Sequence, residues 1–187
     1  MYKLFLLTFA CFVGILIFSL ASPASASAAG ACLTDKSGLT EFQGLTSTDL
    51  LARLIYSEAE GESLTGKRGV AYVVKNRINK NLSVFGGNTY SGVILKQGEF
   101  QGMTTSRARC PQTSTQAWKD SLSIATNSGT NPVGKTLWFN TNSVYKARSF
   151  PFPGWLDGYT FDGGISYSEV VEKVIVGNHT FFRVYPY

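Results

Sequence analysis

Two apolar helices joined by a handful of residues constrain this chain more than any other feature. "LTSTDLLARLIYSEAEGES", from Leu45, sets Leu50, Leu51, Leu54 and Ile55 at helical spacing. Thr46 is placed to cap that helix, and Asp49 three residues on completes a pattern close to a capping box. Gly61 ends it. "SLTGKRGVAYVVKNRINKN", from Ser63, lines Ala71, Val74 and Ile78 along one stripe with Val70 and Val73 beside it, and Thr65 as its cap. A helix apolar nearly all round its middle belongs at the centre of a core. The short connection makes the two helices neighbours.

The later chain changes character. "VFGGNTYSGVILKQGEFQGM" breaks at Gly86-Gly87 and then reads as turn, short strand or irregular loop. "TSTQAWKDSLSIATNSG" predicts a third helix with Trp118, Leu122 and Ala125 on one face and Gly129 at its end. "KTLWFNTNSV" and "HTFFRVYPY" have the Thr, Phe, Val and Tyr content of strands. "YSEVVEKVIVGN" fits a short helix or a strand. The expected class is α+β: a helical core with a small late β-sheet.

The first residues stand apart. Lys3 precedes the apolar run Leu4 to Leu20, and "ASPASASAAGA" follows with small residues at alternate positions. This is the layout of a secretory signal over residues 1–28, cleaved after Ala26 or Ala28; an uncleaved membrane anchor is the competing reading of so long a run. Residues 29–44 read as a leader or linker and 45–187 as one domain. Export makes Cys32 and Cys110 candidates for a disulfide, Cys11 leaving with the signal. The whole chain carries a net charge of +5, about +4 without the signal. A mildly basic exported protein is drawn to polyanions such as cell walls. No Lys/Arg run points to nucleic acid.

Three carboxylates crowd into "SEAEGE". Glu58 lies seven residues after Leu51, four after Leu54 and three after Ile55, on the apolar stripe. Glu60 is turned about 200° away, and Glu62 lies beyond the Gly61 break. An acid in an apolar setting holds its proton to higher pH, which is what a general acid needs. A Glu reaching from a helix end to water is the alternative, and spacing alone leaves both open. With one His and two distant cysteines, the mature chain lacks the ligands of an ordinary zinc site; no cofactor is expected. No G-x-S-x-G accompanies His179. Trp138, Phe139, Tyr145, Trp155, Tyr159 and Tyr167 lie among Asn, Gly and Ser, a mixture that suits sugar recognition as well as an ordinary core.

"ARLIYSEAEGESLTGKRGVAYVVKNRI", Ala52 to Ile78, resembles the opening signature of the SleB/CwlJ-type cell wall hydrolases, the spore cortex-lytic enzymes. "VILKQGEF", "NPVGKTLWFN" and "VGNHTFF" resemble the family's later motifs, in order. The resemblance implies a fold related to lysozymes and lytic transglycosylases. It implies cleavage of peptidoglycan between N-acetylmuramic acid and N-acetylglucosamine, with Glu58 as the catalytic acid. Phe100, Trp138, Asn140 and His179 become candidates for substrate binding. One departure stands out: Glu99 occupies the position where Gln is usual, which is either a neutral exchange of polar groups or a second acid or substrate contact. Glu62 reads as structural, bonding the loop between the helices, and Asn76 and Arg77 as fixing helix ends and loops. An amidase and a non-catalytic wall-binding protein are the competing functions. The chain is read as a monomer that grips the wall through its catalytic domain or with a helper protein.

Overall fold

The computed structural model describes residues 28–161 and 166–187. The signal-like segment before Ala28, with Cys11, lies outside the described residues, as do residues 162–165.

The first two helices form where the apolar periodicity places them. Helix α1 spans Ser47–Ala59, and the Thr46 side chain accepts from the Asp49 N–H to cap it. Helix α2 spans Leu64–Lys80. Its cap is Ser63, which accepts from the Gly66 N–H, rather than Thr65. Asn81 closes α2 in the left-handed region with φ 51°, a conformation Asn tolerates better than most residues. Short helices α3 (Tyr90–Ile94) and α4 (Ser106–Arg109) occupy the irregular middle of the chain. Helix α5 covers Gln116–Thr126 and stops before the expected end at Gly129, because Asn127 is already extended.

The late sheet is larger than the two expected strands. β1 (Trp138–Thr141), β2 (Ser149–Phe150), β3 (Asp157–Tyr159), β4 (Ser168–Val176) and β5 (His179–Val184) pair antiparallel in the order β1-β5-β4-β3-β2. The undecided "YSEVVEKVIVGN" is thus a strand, fixed by pairing along β5. The run "KTLWFNTNSV" is strand only as far as Thr141. There the Thr141 hydroxyl accepts from the Val144 N–H and starts helix α6, Asn142–Arg148. A local cap outweighs the strand propensity of its neighbours.

The main core joins the helices: Leu50, Leu51, Leu54 and Ile55 of α1 pack with Val70, Val73 and Val74 of α2 and with Phe181 of β5. Gly69 explains how α2 and β5 approach so closely, since a Cβ there would lie 2.5 Å from the Phe181 ring. A second, aromatic cluster of Tyr145, Tyr159 and Phe182 supports the sheet, with Trp138 packed against it. Residues 28–44 lie along the helical half. Phe42 is buried, Leu33 and Leu39 pack on the core, and Cys32 is disulfide-bonded to Cys110.

That bond closes a loop with a sequence separation of 78, worth about 4 kcal/mol of unfolded-chain entropy. Replacing both cysteines by Ala is expected to lower the melting temperature by about 10 °C, measured by calorimetry against the oxidised wild type.

Candidate active site

The three acids of "SEAEGE" go to three different places. Glu58, in the last turn of α1, is half-buried at the wall of a cleft of about 580 Å³. The Gly102 N–H donates to its Oε1 at 2.6 Å. Oε2 has no hydrogen-bond partner among the described residues and is not sealed off by them. Burial raises the Glu58 pKa above the ordinary Glu value, and the Gly102 bond only partly offsets that. Glu60 faces outward, accepting from the Tyr56 hydroxyl at 3.0 Å and pairing with Arg107 at 3.1 Å.

Glu62 does not bond the loop between the helices. It crosses to the β4–β5 turn, where it accepts from the Asn178 N–H at 3.2 Å and the Asn178 side-chain amide at 3.0 Å. Its Oε1 lies 3.8 Å from His179 Nδ1. Only the folded chain brings residues so far apart in sequence together.

Glu58, Glu99, Phe100, Trp138, Asn140 and His179 all line the one cleft. It runs along the seam where the end of α1 and the 98–101 segment face β1 and the start of β5. Glu99 accepts from Arg77 at 2.8 Å. Arg77, nearly sealed from solvent, also donates to the Leu137 carbonyl at 2.7 Å and lies over the Phe100 ring at 5.0 Å. The neighbouring Asn76 amide donates to the Gly134 and Thr136 carbonyls. The pair therefore pins the end of α2 to the segment leading into β1. Phe100 stacks on Phe139 with centroids 6.3 Å apart. Asn140 donates to the Tyr159 hydroxyl at 2.6 Å. His179 packs edge-on against Phe139, and burial lowers its pKa while Glu62 opposes the shift. Its Nδ1 is buried without a hydrogen bond, leaving Nε2 as the polar atom of the ring with solvent access.

Gly102, Gln101, Arg148 and Phe161 escaped the sequence reading. Gly102 sits beside "VILKQGEF", but its role depends on a Cβ at that position coming within 2.8 Å of Glu58 Oε1. Arg148 and Phe161 reach the cleft through helix α6 and the turns after it, elements with no strong sequence signal. Among the described residues, no group of three or more His, Cys, Asp or Glu is placed to hold a metal ion, and no helix is long and apolar enough to cross a membrane.

A family model for cell wall hydrolases matches residues 61–182, well over half of the chain. The chain belongs to that family. The matched span takes in Glu99, Phe100, Trp138, Asn140 and His179 and begins just after Glu58. Among solved structures, the chain is similar to the SleB catalytic domain of Bacillus anthracis, described as a germination-specific lytic transglycosylase. The identity is 23% and the TM-score 0.48, over 75% of this chain and 98% of that one. It is also similar to the SleB catalytic domain of Bacillus cereus, at 22% identity and a TM-score of 0.47, over 80% of this chain and 98% of that one. No curated protein matches significantly.

In this cell wall hydrolase, the Glu62 contacts hold the turn that carries His179. Glu62→Ala removes a charged acceptor that is only 8% exposed. A loss of about 1–3 kcal/mol in denaturant unfolding is expected, with a smaller loss for Glu62→Gln.

Proposed function

We propose that the enzyme cleaves the glycan strand of peptidoglycan between N-acetylmuramic acid and N-acetylglucosamine, by lytic transglycosylation with Glu58 as acid and then base. One observation carries the reading. Glu58 is the carboxyl in the cleft that meets no cation, is desolvated, and has one oxygen held by Gly102 while the other is free. In the protonated acid, Oε1 accepts from Gly102 and the proton rests on Oε2.

The steps balance with this single group. Oε2–H gives its proton to the glycosidic oxygen as the bond from that oxygen to the muramoyl C1 breaks. Positive charge develops at C1. The Glu58 carboxylate then takes the proton from the muramoyl C6 hydroxyl, whose oxygen closes on C1. The product is a 1,6-anhydro end, Glu58 is protonated again, and no water is consumed. Around it, Trp138 offers apolar surface to a pyranose ring, Phe100 backs the cleft wall between Arg77 and Phe139, and Asn140 and His179 offer polar groups to hydroxyls and N-acetyl amides. A glycan strand of peptidoglycan lies outside the cell, and the signal-like start of the chain supports that location for the enzyme.

Glu99 supports a second reading. It lines the same cleft, and a second carboxylate is what a hydrolytic enzyme uses to activate water. Its bond to Arg77 argues for a structural and electrostatic role instead, because one oxygen is already committed.

Glu58→Gln is expected to lower release of fragments from purified vegetative peptidoglycan and spore cortex by 10²–10⁴-fold. Unchanged release excludes Glu58. Mass spectrometry of the wild-type products separates the readings: anhydro ends mark transglycosylation, reducing ends mark hydrolysis, and new peptide N-termini mark an amidase.

The acid must be protonated to act. A raised pKa keeps that form present to higher pH, so activity holds below the raised value and falls as pH climbs through it. The basic limb of the kcat/KM profile is therefore expected above the ~4.3 of an ordinary Glu. Gly102→Ala puts a Cβ 2.8 Å from Oε1 and displaces the carboxyl. A drop of about 10²-fold in kcat/KM is expected, with little change in melting temperature.

A further inference from the structure

A second pocket, of about 350 Å³, opens beside the cleft. Its volume falls near the lower end of the ~300–1,000 Å³ usual for ligand sites. Gly98, Phe100 and Gln101 line both cavities, so the two adjoin on either side of the 98–101 segment. The far wall comes from Lys36 and Leu39, outside the span that defines the family.

That wall is fastened down at several points. Cys32 is bonded to Cys110, and the Leu33 N–H donates to the Arg109 carbonyl at 2.9 Å. Arg109 also lines the pocket, but its guanidinium is spent on Asp35, Glu41 and the Thr104 carbonyl. It is a strut and not a receptor. The Lys36 ammonium, by contrast, is exposed and makes no ion pair or hydrogen bond among the described residues.

The chemistry of the lining matches that of the cleft. Leu39 gives apolar surface for the C–H face of a ring, with the buried Phe100 behind it. Gln97, Gln101 and Thr104 give donors and acceptors for hydroxyls and amides, and Lys36 a cation for an acidic substituent. A polymer lying across Glu58 must leave the cleft somewhere, and this pocket is the cavity next to it. We propose that this pocket is a binding subsite for a further saccharide unit of the same glycan strand, beyond the two sugars that flank the cleaved bond. The inference rests on the glycan-cleaving function proposed above. It makes residues 29–44 part of the substrate-binding surface.

The test uses the full mature chain and end-labelled, peptide-free glycan strands of defined length. For the wild type, kcat/KM is expected to rise with length until the pocket is filled. In the Lys36→Ala/Gln97→Ala double variant, the ratio of kcat/KM on long over short strands is expected to fall about tenfold. A variant that merely misfolds loses activity on both lengths alike and leaves that ratio in place. Equal wild-type activity on the shortest and longest strands overturns the subsite, as does an unchanged ratio in the variant. A ratio that responds to the variant only when stem peptides are attached makes the occupant a peptide and overturns the saccharide assignment. If the wild type cleaves no strand of any length, the glycan-cleaving reading itself fails, and that result is distinct from the others.

Discussion

A guanidinium with no access to water holds the helical half of the molecule together. Arg53 is 0% exposed on α1, and a buried charge is tolerated only when it is fully partnered. Its Nε donates to Asp49 at 3.0 Å, one terminal nitrogen to the Ala108 and Arg109 carbonyls, and the other to the Ala31 carbonyl at 2.6 Å. Asp49 in turn accepts from the Gly30 N–H. One side chain thus fixes α1, the leader segment and the stretch before Cys110 in a single arrangement. Glu58 lies further along the same helix. The leader that walls the second pocket hangs from the same network, so both cavities depend on it.

The helical half meets the sheet at two close contacts, the Phe181 ring against Gly69 and Arg77 against the carbonyl just before β1. Ligand sites commonly form at such seams, where two rigid parts leave a concave strip between them. This seam also sorts the two cleft carboxylates. Glu58 receives a backbone N–H and no cation, and burial favours its neutral form. Glu99 receives a guanidinium. Residues of one type are thereby given different partners, a backbone N–H for one and a guanidinium for the other.

Much of this was legible in the order of the residues. Helical phase separated Glu58 from Glu60, because the period of an α-helix fixes which side chains share a face, and the Gly61 break set Glu62 apart. The pairing of α1 and α2 followed from their short connection. Other elements misled. "YSEVVEKVIVGN" carries no decisive period, and only its neighbours in the sheet make it a strand. Thr141 looked like strand interior but caps a helix. Thr65 was as good a cap by composition as Ser63. Glu62 was assigned to the nearest loop because its partner, Asn178, is far along the chain.

The sequence by itself determined the fold class, the family motifs and the inward turn of Glu58, since these depend on local periodicity and residue type. The tertiary structure alone decided that six scattered candidate residues share one cleft, that Arg77 binds Glu99, and that Gly102 supports Glu58. It also decided that the leader becomes a wall beside the cleft. Each of these depends on contacts between distant segments. Such contacts follow from packing and hydrogen-bond satisfaction in three dimensions, which no local pattern encodes.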